Sequence, residues 1–447
     1  MPWSNSAGVS APDGSTPTRT TAVRTCASLT VAARPGCTPR LLREHPGRED
    51  YGAYRELGGY RPLASADDLL DEVERSGLLG RGGAAFPLAT KLRTVRANGR
   101  FAGGAVVVAN GEEGEPASIK DRWLLRNRPH LVLDGLRLAA AIVAADRAYV
   151  YLSDPESARS VEAALAELDA FRVPVDVWTV DPGYIAGEET AAVRALNGGP
   201  VKPTDKPPRP FQQGVGGRPT LVSNVETLAN LAYLQQHGAA EFRTQGTATS
   251  PGTLLMTITG AGRPPVLYEI PHGLPFTELL ALHGVSPDQV TGVLMGGYFA
   301  GMLNRGVLDA ALDHDTLRGL GCGLGAGAIT VITDDCPVAI AASVLAYFDR
   351  ENAGQCGSCF NGTAAMAAVG AALRDGVATG EDLDRLRRWS VMLRGRGACA
   401  TLDAACNIAG SLLDQFPHAV DRHLENVCQP CRVGAFRADR PYEVEPP

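Results

Sequence analysis

Apolar positions early in the chain repeat with a helical period. In 66–79 (ADDLLDEVERSGLL) Leu69, Leu70 and Val73 share one face, and acids crowd the first turn, where the helix dipole favours them. Residues 105–109 (AVVVA) are instead a short unbroken apolar run, the pattern of a buried strand, and they end abruptly at Asn110 and an acidic loop. Residues 148–152 and 173–180 read as further strands, separated by a helical stretch over 155–170. This alternation predicts a parallel sheet with helical crossovers. Such sheets bind ligands in the loops beyond their strand C-termini. Residues 200–220 are rich in Pro and Gly and predict a long irregular loop. Near 252 the pattern changes: 253–260 alternates like a strand, 262–265 turns and 266–270 pairs back, a small β-containing module reaching about 330. From Cys336 the spacing in PVAIAASVLAYF, AAMAAVGAAL and LDRLRRWSVML predicts a helical bundle.

Composition narrows the class. The chain has 447 residues, enough for two to four domains at about 150 residues each. A net charge of -7 argues against nucleic acid, whose partners carry a basic footprint. Residues 1–48 hold six Arg, no Lys and two acids, Asp13 and Glu44, among many Ser, Thr, Pro and Gly, and read as a mostly disordered extension. Its Arg- and Ser-rich, acid-poor composition has only a weak likeness to a transit peptide. No charged segment followed by an apolar run marks a secretory signal. No uncharged apolar stretch reaches the roughly 18 residues of a membrane span, the best, 131–145, being interrupted by Asp134 and Arg137. A cytoplasmic chain with reduced thiols and no direct membrane insertion is expected.

Eight of the ten Cys lie from 322 onward, and clustered thiols in a reducing compartment point to metal or redox work. Cys356-Gly357-Ser358-Cys359 is a C-x2-C pair of the spacing used by zinc and iron–sulfur sites. Cys399 is a third candidate, and Cys428-Gln429-Pro430-Cys431 is a second C-x2-C. Cys406 lies about 10 Å beyond Cys399 if the stretch is helical, awkward for one cluster. Cys322 and Cys336 read as buried small hydrophobes. The glycine-rich loop 80–86 (GRGGAAF) follows a helix rather than a strand, so the dinucleotide fingerprint context fails; its backbone N–H groups suit an anion, with Lys91 nearby, but a tight interdomain turn fits it equally well. Residues 110–116 (NGEEGEP) put three acids beyond a strand, where they can take hydroxyl or amide donors. Glu188-Glu189 opens another helix, where dipole stabilisation is the plain alternative.

Several segments agree, in order, with one family. GRGGAAFPLATK, NGEEGEPASIKDR, GYIAGEETAAVRALNG, KPPRPF, GGRPTLVSNVETLANL, CGSC and RGACATLD resemble the signature segments of the NADH-binding, flavin-carrying 51 kDa subunit of respiratory complex I (NADH-quinone oxidoreductase) and its relatives in NAD-dependent hydrogenases and formate dehydrogenases. The resemblance runs from about 60 to 425. It implies an α/β fold: a Rossmann-like FMN/NADH domain, a ubiquitin-like SLBB module and a C-terminal helical bundle with an iron–sulfur site. The division expected is 1–59 disordered or extended, 60–245 FMN/NADH-binding, 246–332 SLBB-like β-grasp, 333–426 iron–sulfur bundle and 427–447 a Cys-containing tail.

Carried over residue by residue, the resemblance implies that Gly80, Arg81, Gly82 and Lys91 hold the FMN phosphate and ribityl, and that Asn110, Glu112, Glu113, Tyr184, Gly187, Glu188 and Asn224 surround the flavin. Phe86, Glu115, Glu189 and Lys206 would face NADH, with Glu113 and Glu115 the candidate catalytic acids. Cys356, Cys359 and Cys399 would hold the cluster. Hydride would pass from NADH to FMN, and single electrons through the cluster to a ferredoxin-like or other redox protein. This sequence departs from the family pattern at several positions. Ala353 stands where the first cluster Cys belongs, so the site is a [3Fe-4S] cluster, a [4Fe-4S] cluster with a non-Cys ligand, or one completed by a tail Cys; Cys428 is the choice, returned by a helix over 404–425. Thr94 and Arg209 replace two adenine-stacking aromatics, and Ala85, Glu112 and Ser223 replace a Gly, an Asp and an Asn. Two alternatives follow: a flavin/iron–sulfur electron-transfer adaptor that no longer binds NADH, and a structural zinc protein using the C-x2-C pairs at 356 and 428.

Overall fold

The computed structural model describes residues 29–43, 47–169, 171, 173–434 and 436–445. Its first sheet is four-stranded and wholly parallel, in the order Val175–Thr179, Ala145–Leu152, Ala105–Asn110, Thr220–Asn224. The predicted run AVVVA is the inner strand: Val106, Val107, Val108 and Ala109 are fully buried, each Val stabilising the fold by about 1.5–3 kcal/mol. Alternate residues serve two cores. Val107 and Ala109 pack with the helices Leu88–Ala102, Pro129–Val143 and Val225–Phe242, while Val106 and Val108 pack with Ala192, Val193 and Leu196 of Glu189–Leu196. Gly135 lets two of those helices touch, since a Cβ there would lie 1.9 Å from the Leu228 carbonyl oxygen.

The chain lays down Ala105–Asn110 first, moves outward through Ala145–Leu152 and Val175–Thr179, then crosses back to place Thr220–Asn224 on the opposite side. The order reverses at the inner strand. The crevice between Asn110 and Asn224, at the C-terminal ends of adjacent strands, is therefore where an open α/β sheet binds its ligand.

A second, six-stranded sheet runs Thr30–Ala33, Val266–Pro271, Thr253–Gly260, Ala328–Ile332, Gly292–Met295, Met302–Asn304. Thr253–Gly260 and Val266–Pro271 form the expected antiparallel hairpin, and Ala328–Ile332 returns parallel to its first strand. Phe276, Leu279 and Leu280 of the helix Phe276–Leu282 share the core of this sheet. The described part of the N-terminal segment overturns the expectation of disorder. Thr30–Ala33 pairs parallel with Val266–Glu269, and the buried Glu269 carboxylate accepts the N–H groups of Arg40, Leu41 and Leu42 at 2.9–3.0 Å. Hydrogen bonds to a charged acceptor contribute about 1.5–3 kcal/mol each, which orders a segment that has few apolar residues of its own. Cys26 and the rest of 1–28 lie outside the described residues.

Helices Pro337–Glu351, Gly357–Arg374, Gly380–Met392 and Thr401–Gln415 pack around one core. The single helix expected over 404–425 is two, because Pro417 starts a new helix, Pro417–Glu425, after the non-helical Phe416. The tail then runs back to the first sheet: the Val444 N–H donates to the Pro116 carbonyl at 2.9 Å. Among the described residues no helix is long and apolar enough to cross a membrane.

Candidate functional site

Four segments meet at the crevice. The helix Ala66–Ser76 ends at the left-handed Gly77, and the loop after it is closed by the Gly80 N–H donating to the Phe86 carbonyl at 2.9 Å. Gly82 faces Asn224, whose Cβ would lie 3.3 Å from a Cβ at that glycine. Ala85 adopts φ 49°, a left-handed conformation that suits the family's glycine better. Arg81 turns away from the crevice: its buried guanidinium donates to the Thr253 carbonyl at 3.0 Å, and its N–H to Thr227 Oγ1 at 2.8 Å. What this loop offers a ligand is backbone. Phe86 is half exposed.

Lys91 joins the loop to the second acidic helix. Its Nζ donates to the Val222 carbonyl at 2.6 Å and lies 3.7 Å from Glu189 Oε2. Glu188 caps that helix, accepting the Thr190 and Ala191 N–H groups at 2.7 and 3.0 Å, and its other oxygen takes the Lys206 ammonium at 2.6 Å. Asn110 Nδ2 donates to the Gly187 carbonyl at 2.8 Å, and a Cβ at Gly187 would come 2.9 Å from the Glu112 carbonyl oxygen. Asn224 caps Val225–Phe242 and donates to Asp121 Oδ2 at 2.7 Å. Beneath it the buried Lys120 ammonium contacts Asp121 at 2.7 Å and Glu226 at 3.0 Å.

The acidic loop divides into three roles. Glu112 lines an open cleft of about 190 Å³ with Glu113, Gly114, Gly183, Tyr184 and Arg440. Burial pushes its carboxyl up to about 7, and Oε2 is buried without a hydrogen-bond partner. Glu113 has both oxygens taken, by the Ser118 hydroxyl at 2.5 Å and by the Asp121 and Arg122 N–H groups at 3.2 and 3.0 Å. It fastens the start of the helix Lys120–Asn127. Glu115 points the other way, under the second sheet, where it accepts the N–H of Tyr298 at 2.9 Å and burial pushes it up to about 8. Neither candidate catalytic acid has a carboxylate open to a reacting atom.

Two helix N-termini meet at the thiols. Cys356 caps Gly357–Arg374 with Cys359 one turn in, and Cys399 precedes Thr401–Gln415. The Ala398 N–H donates to Cys356 Sγ at 3.5 Å. Burial, then the neighbouring Cys399 and Cys356, push the Cys359 thiol up to about 12, and positive helix ends favour an anionic centre here. Tyr184 wedges between this group and the crevice. Its ring lies edge-on to Phe348 at 5.2 Å, and its hydroxyl is raised by burial, then by Glu115, Tyr347 and Cys399. Gln355 Nε2 donates to the Pro203 carbonyl at 2.6 Å, tying the thiol loop to the loop of Lys206.

Cys428 is not part of this group, which corrects the expected fourth ligand. It lies with Cys336, His423 and Cys431, their ligand atoms all within 4.8 Å of one another. Cys336 caps the far end of Pro337–Glu351, and fifteen residues of helix span about 22 Å. The two C-x2-C pairs therefore cannot share an ion.

The fold and these contacts accompany extensive similarity to known proteins. The second F subunit of NADH-quinone oxidoreductase in Rhizobium meliloti (strain 1021) is 33% identical over 414 residues, 87% of this chain and 98% of that protein. The chain belongs to the family of NADH-quinone oxidoreductase 51 kDa flavoproteins. Residues 73–233 match the Nuo51 FMN-binding domain, and 339–423 the NADH-ubiquinone oxidoreductase-F iron-sulfur binding region. The NADP-reducing hydrogenase subunit HndC of Solidesulfovibrio fructosivorans is 30% identical over 421 residues, 89% of this chain and 85% of that one. Among solved structures, an NAD+-reducing [NiFe]-hydrogenase in its H2-reduced state aligns with TM-score 0.73 at 31% identity, over 80% of this chain. This chain spans 63% of that one.

In this member of the 51 kDa family the residues present fit FMN. Gly80, Gly82 and Gly83 leave the loop backbone without side chains, Lys91 places an ammonium at the Val222 carbonyl on the strand that ends at Asn224, and Glu112, which lines the cleft, has a buried Oε2 without a partner. The sequence reading missed Cys336 and His423. The only local signal was His423-x4-Cys428-x2-Cys431, a spacing of metal-ligand type whose fourth member is 87 residues from His423.

Proposed function

We propose that the chain takes electrons from NADH through FMN, passes them singly through a cluster on Cys356, Cys359 and Cys399, and delivers them to a ferredoxin-like or other redox protein. As a member of the 51 kDa family it is an FMN- and iron–sulfur-dependent, NADH dehydrogenase-like oxidoreductase. FMN held here would supply hydride acceptance and one-electron release, chemistry that no side chain offers. In this reading Gly80, Gly82 and Lys91 hold phosphate and ribityl, with Arg81 contributing backbone. Asn110, Glu112, Tyr184, Gly187, Glu188 and Asn224 surround the ring. Phe86, Glu189 and Lys206 face the nucleotide. Burial raises the Glu112 carboxyl to about 7, which lets it hold a proton beside the cleft. Glu113 and Glu115 are positioning residues: one fixes the helix after the acidic loop, the other fixes that loop against the second sheet. The hairpin, helix and returning parallel strand support an SLBB-like module over 246–332.

The observation that carries the proposal is Tyr184, which lines the acidic cleft while its N–H donates to Glu351 Oε2 at 3.3 Å and its ring meets Phe348, so that the crevice loop packs on the helix leading into the thiol loop. Anaerobic reconstitution with FMN, iron and sulfide tests it. A yellow-brown protein whose flavin absorbance bleaches with NADH and which reduces an artificial acceptor supports the proposal. A colourless protein that takes up neither flavin nor iron overturns it.

Thr94 and Arg209 favour a second reading, an electron-transfer adaptor fed by another protein. Thr94 Oγ1 bonds its own helix at the Thr90 carbonyl, 2.8 Å away, and Arg209 is exposed; neither presents a ring to adenine. Bleaching within seconds of adding NADH excludes this reading, and bleaching only by a reduced protein supports it.

A further inference from the structure

We infer that Cys336, His423, Cys428 and Cys431 form a closed, structural Zn2+ site, separate from the cluster and without a part in electron transfer. Three stretches of chain bring the ligands together. Cys336 caps Pro337–Glu351, His423 lies in the last turn of Pro417–Glu425, and Cys428 caps the short helix Gln429–Arg432, which carries Cys431. Cys336 Sγ is 3.3 Å from His423 Nε2, and all four ligand atoms lie within 4.8 Å of one another. That compactness suits one tetrahedral ion, whose ligand bonds are about 2.0–2.3 Å long. A cubane would hold its thiolates farther apart.

The chemistry of the donors selects the ion. Three thiolates and one imidazole are a zinc set, and four protein ligands leave no open position for water or substrate, the mark of a structural rather than a catalytic site. His423 is already oriented for the task. Its Nδ1 lies 3.0 Å from the Leu373 carbonyl, so that nitrogen donates its proton there and leaves the Nε2 lone pair for metal, as ligating histidines characteristically do. Cys336 and His423 are buried, and Cys428 and Cys431 partly so. All four are unpaired thiols or imidazole, with no disulfide among the described cysteines.

The site also has something to hold. Immediately beyond it the tail crosses the molecule: the Tyr442 hydroxyl donates to Asp335 Oδ2 at 2.6 Å, the Tyr298 hydroxyl donates to the Pro441 carbonyl, and Arg122 Nη2 donates to the Val444 carbonyl at 3.2 Å. Arg440 and Glu443 reach the rim of the acidic cleft. The ion thus anchors the near end of a strap whose far end borders the Glu112 pocket.

Metal analysis of the full chain, purified anaerobically and reconstituted with iron and sulfide, tests this. About one zinc per chain is expected beside the iron. Cys428→Ser with Cys431→Ser should cut zinc at least tenfold while iron and flavin stay, and Cys356→Ser should do the reverse. Should the double variant fail to fold, Co2+ exchanged into the unmodified chain reports instead: an intense tetrahedral visible spectrum with thiolate charge-transfer bands is expected. Zinc below a tenth of an equivalent in iron-loaded protein with no such cobalt spectrum overturns the site. Loss of iron rather than zinc on Cys428→Ser also overturns it and returns Cys428 to the cluster.

Discussion

Glu115 Oε2 accepts the backbone N–H of Tyr298 at 2.9 Å, joining the acidic loop of the first sheet to the turn between two strands of the second. A Cβ at the neighbouring Gly297 would lie 2.3 Å from the Glu115 carboxyl carbon, so the approach requires glycine. The joint is dry, and this sets its pH response.

Burial raises the Glu115 carboxyl from 4.5 to about 8 and that of Glu112 to about 7. The unfolded chain ionises these groups first, so their contribution to stability is complete below about pH 4.5 and is lost as pH rises through 7 to 8. Thermal melts of flavin-free protein should therefore show Tm declining between about pH 5 and 8.5, with a shallower decline in Glu115→Gln. Parallel curves for the two proteins would remove Glu115 from this account.

Gly187→Ala presses a methyl group onto the Glu112 carbonyl and displaces the acidic loop. Flavin affinity should fall at least tenfold, about 1.4 kcal/mol, while iron content is unchanged. Fluorescence titration with FMN reads the first and colorimetric iron the second.

Restoring rings at the two adenine positions should favour NADH. Base–aromatic stacking is worth about 1–3 kcal/mol per base, so Thr94→Phe with Arg209→Phe should lower KM for NADH by tenfold or more with little change in kcat. A KM that stays put assigns the nucleotide to another surface.

Ala353 lies in the loop between Pro337–Glu351 and Gly357–Arg374, three residues before Cys356. Ala353→Cys should add an iron to the reconstituted cluster and abolish the oxidised-state paramagnetic signal of a three-iron centre. An unchanged spectrum would mean that a non-thiolate ligand already fills the corner.

Much of this was legible in the chain. AVVVA is apolar on both faces because both faces are covered, and Asn110 marks the strand end because the crevice starts there. What escaped was non-local. Thr30–Ala33 looks like loop because its stabilisation comes from Val266–Glu269 and the Glu269 carboxylate, over 200 residues away. Cys336 looked like a small hydrophobe because its partners lie about 90 residues downstream, beyond a break at Phe416 that only Pro417 announces. Arg81 and Glu113 match the family's segments by position, yet their side chains serve internal hydrogen bonds.

The tail has a mechanical consequence. The helical region and the tail are fastened to loops of the first sheet by several hydrogen bonds, among them Gln355 to Pro203, the Tyr184 N–H to Glu351 at 3.3 Å, the Tyr347 hydroxyl to the Gly114 carbonyl at 3.3 Å, and Val444 to Pro116. Rotation of the helical region about any one of these contacts strains the others, which ties the position of the thiols to that of the crevice.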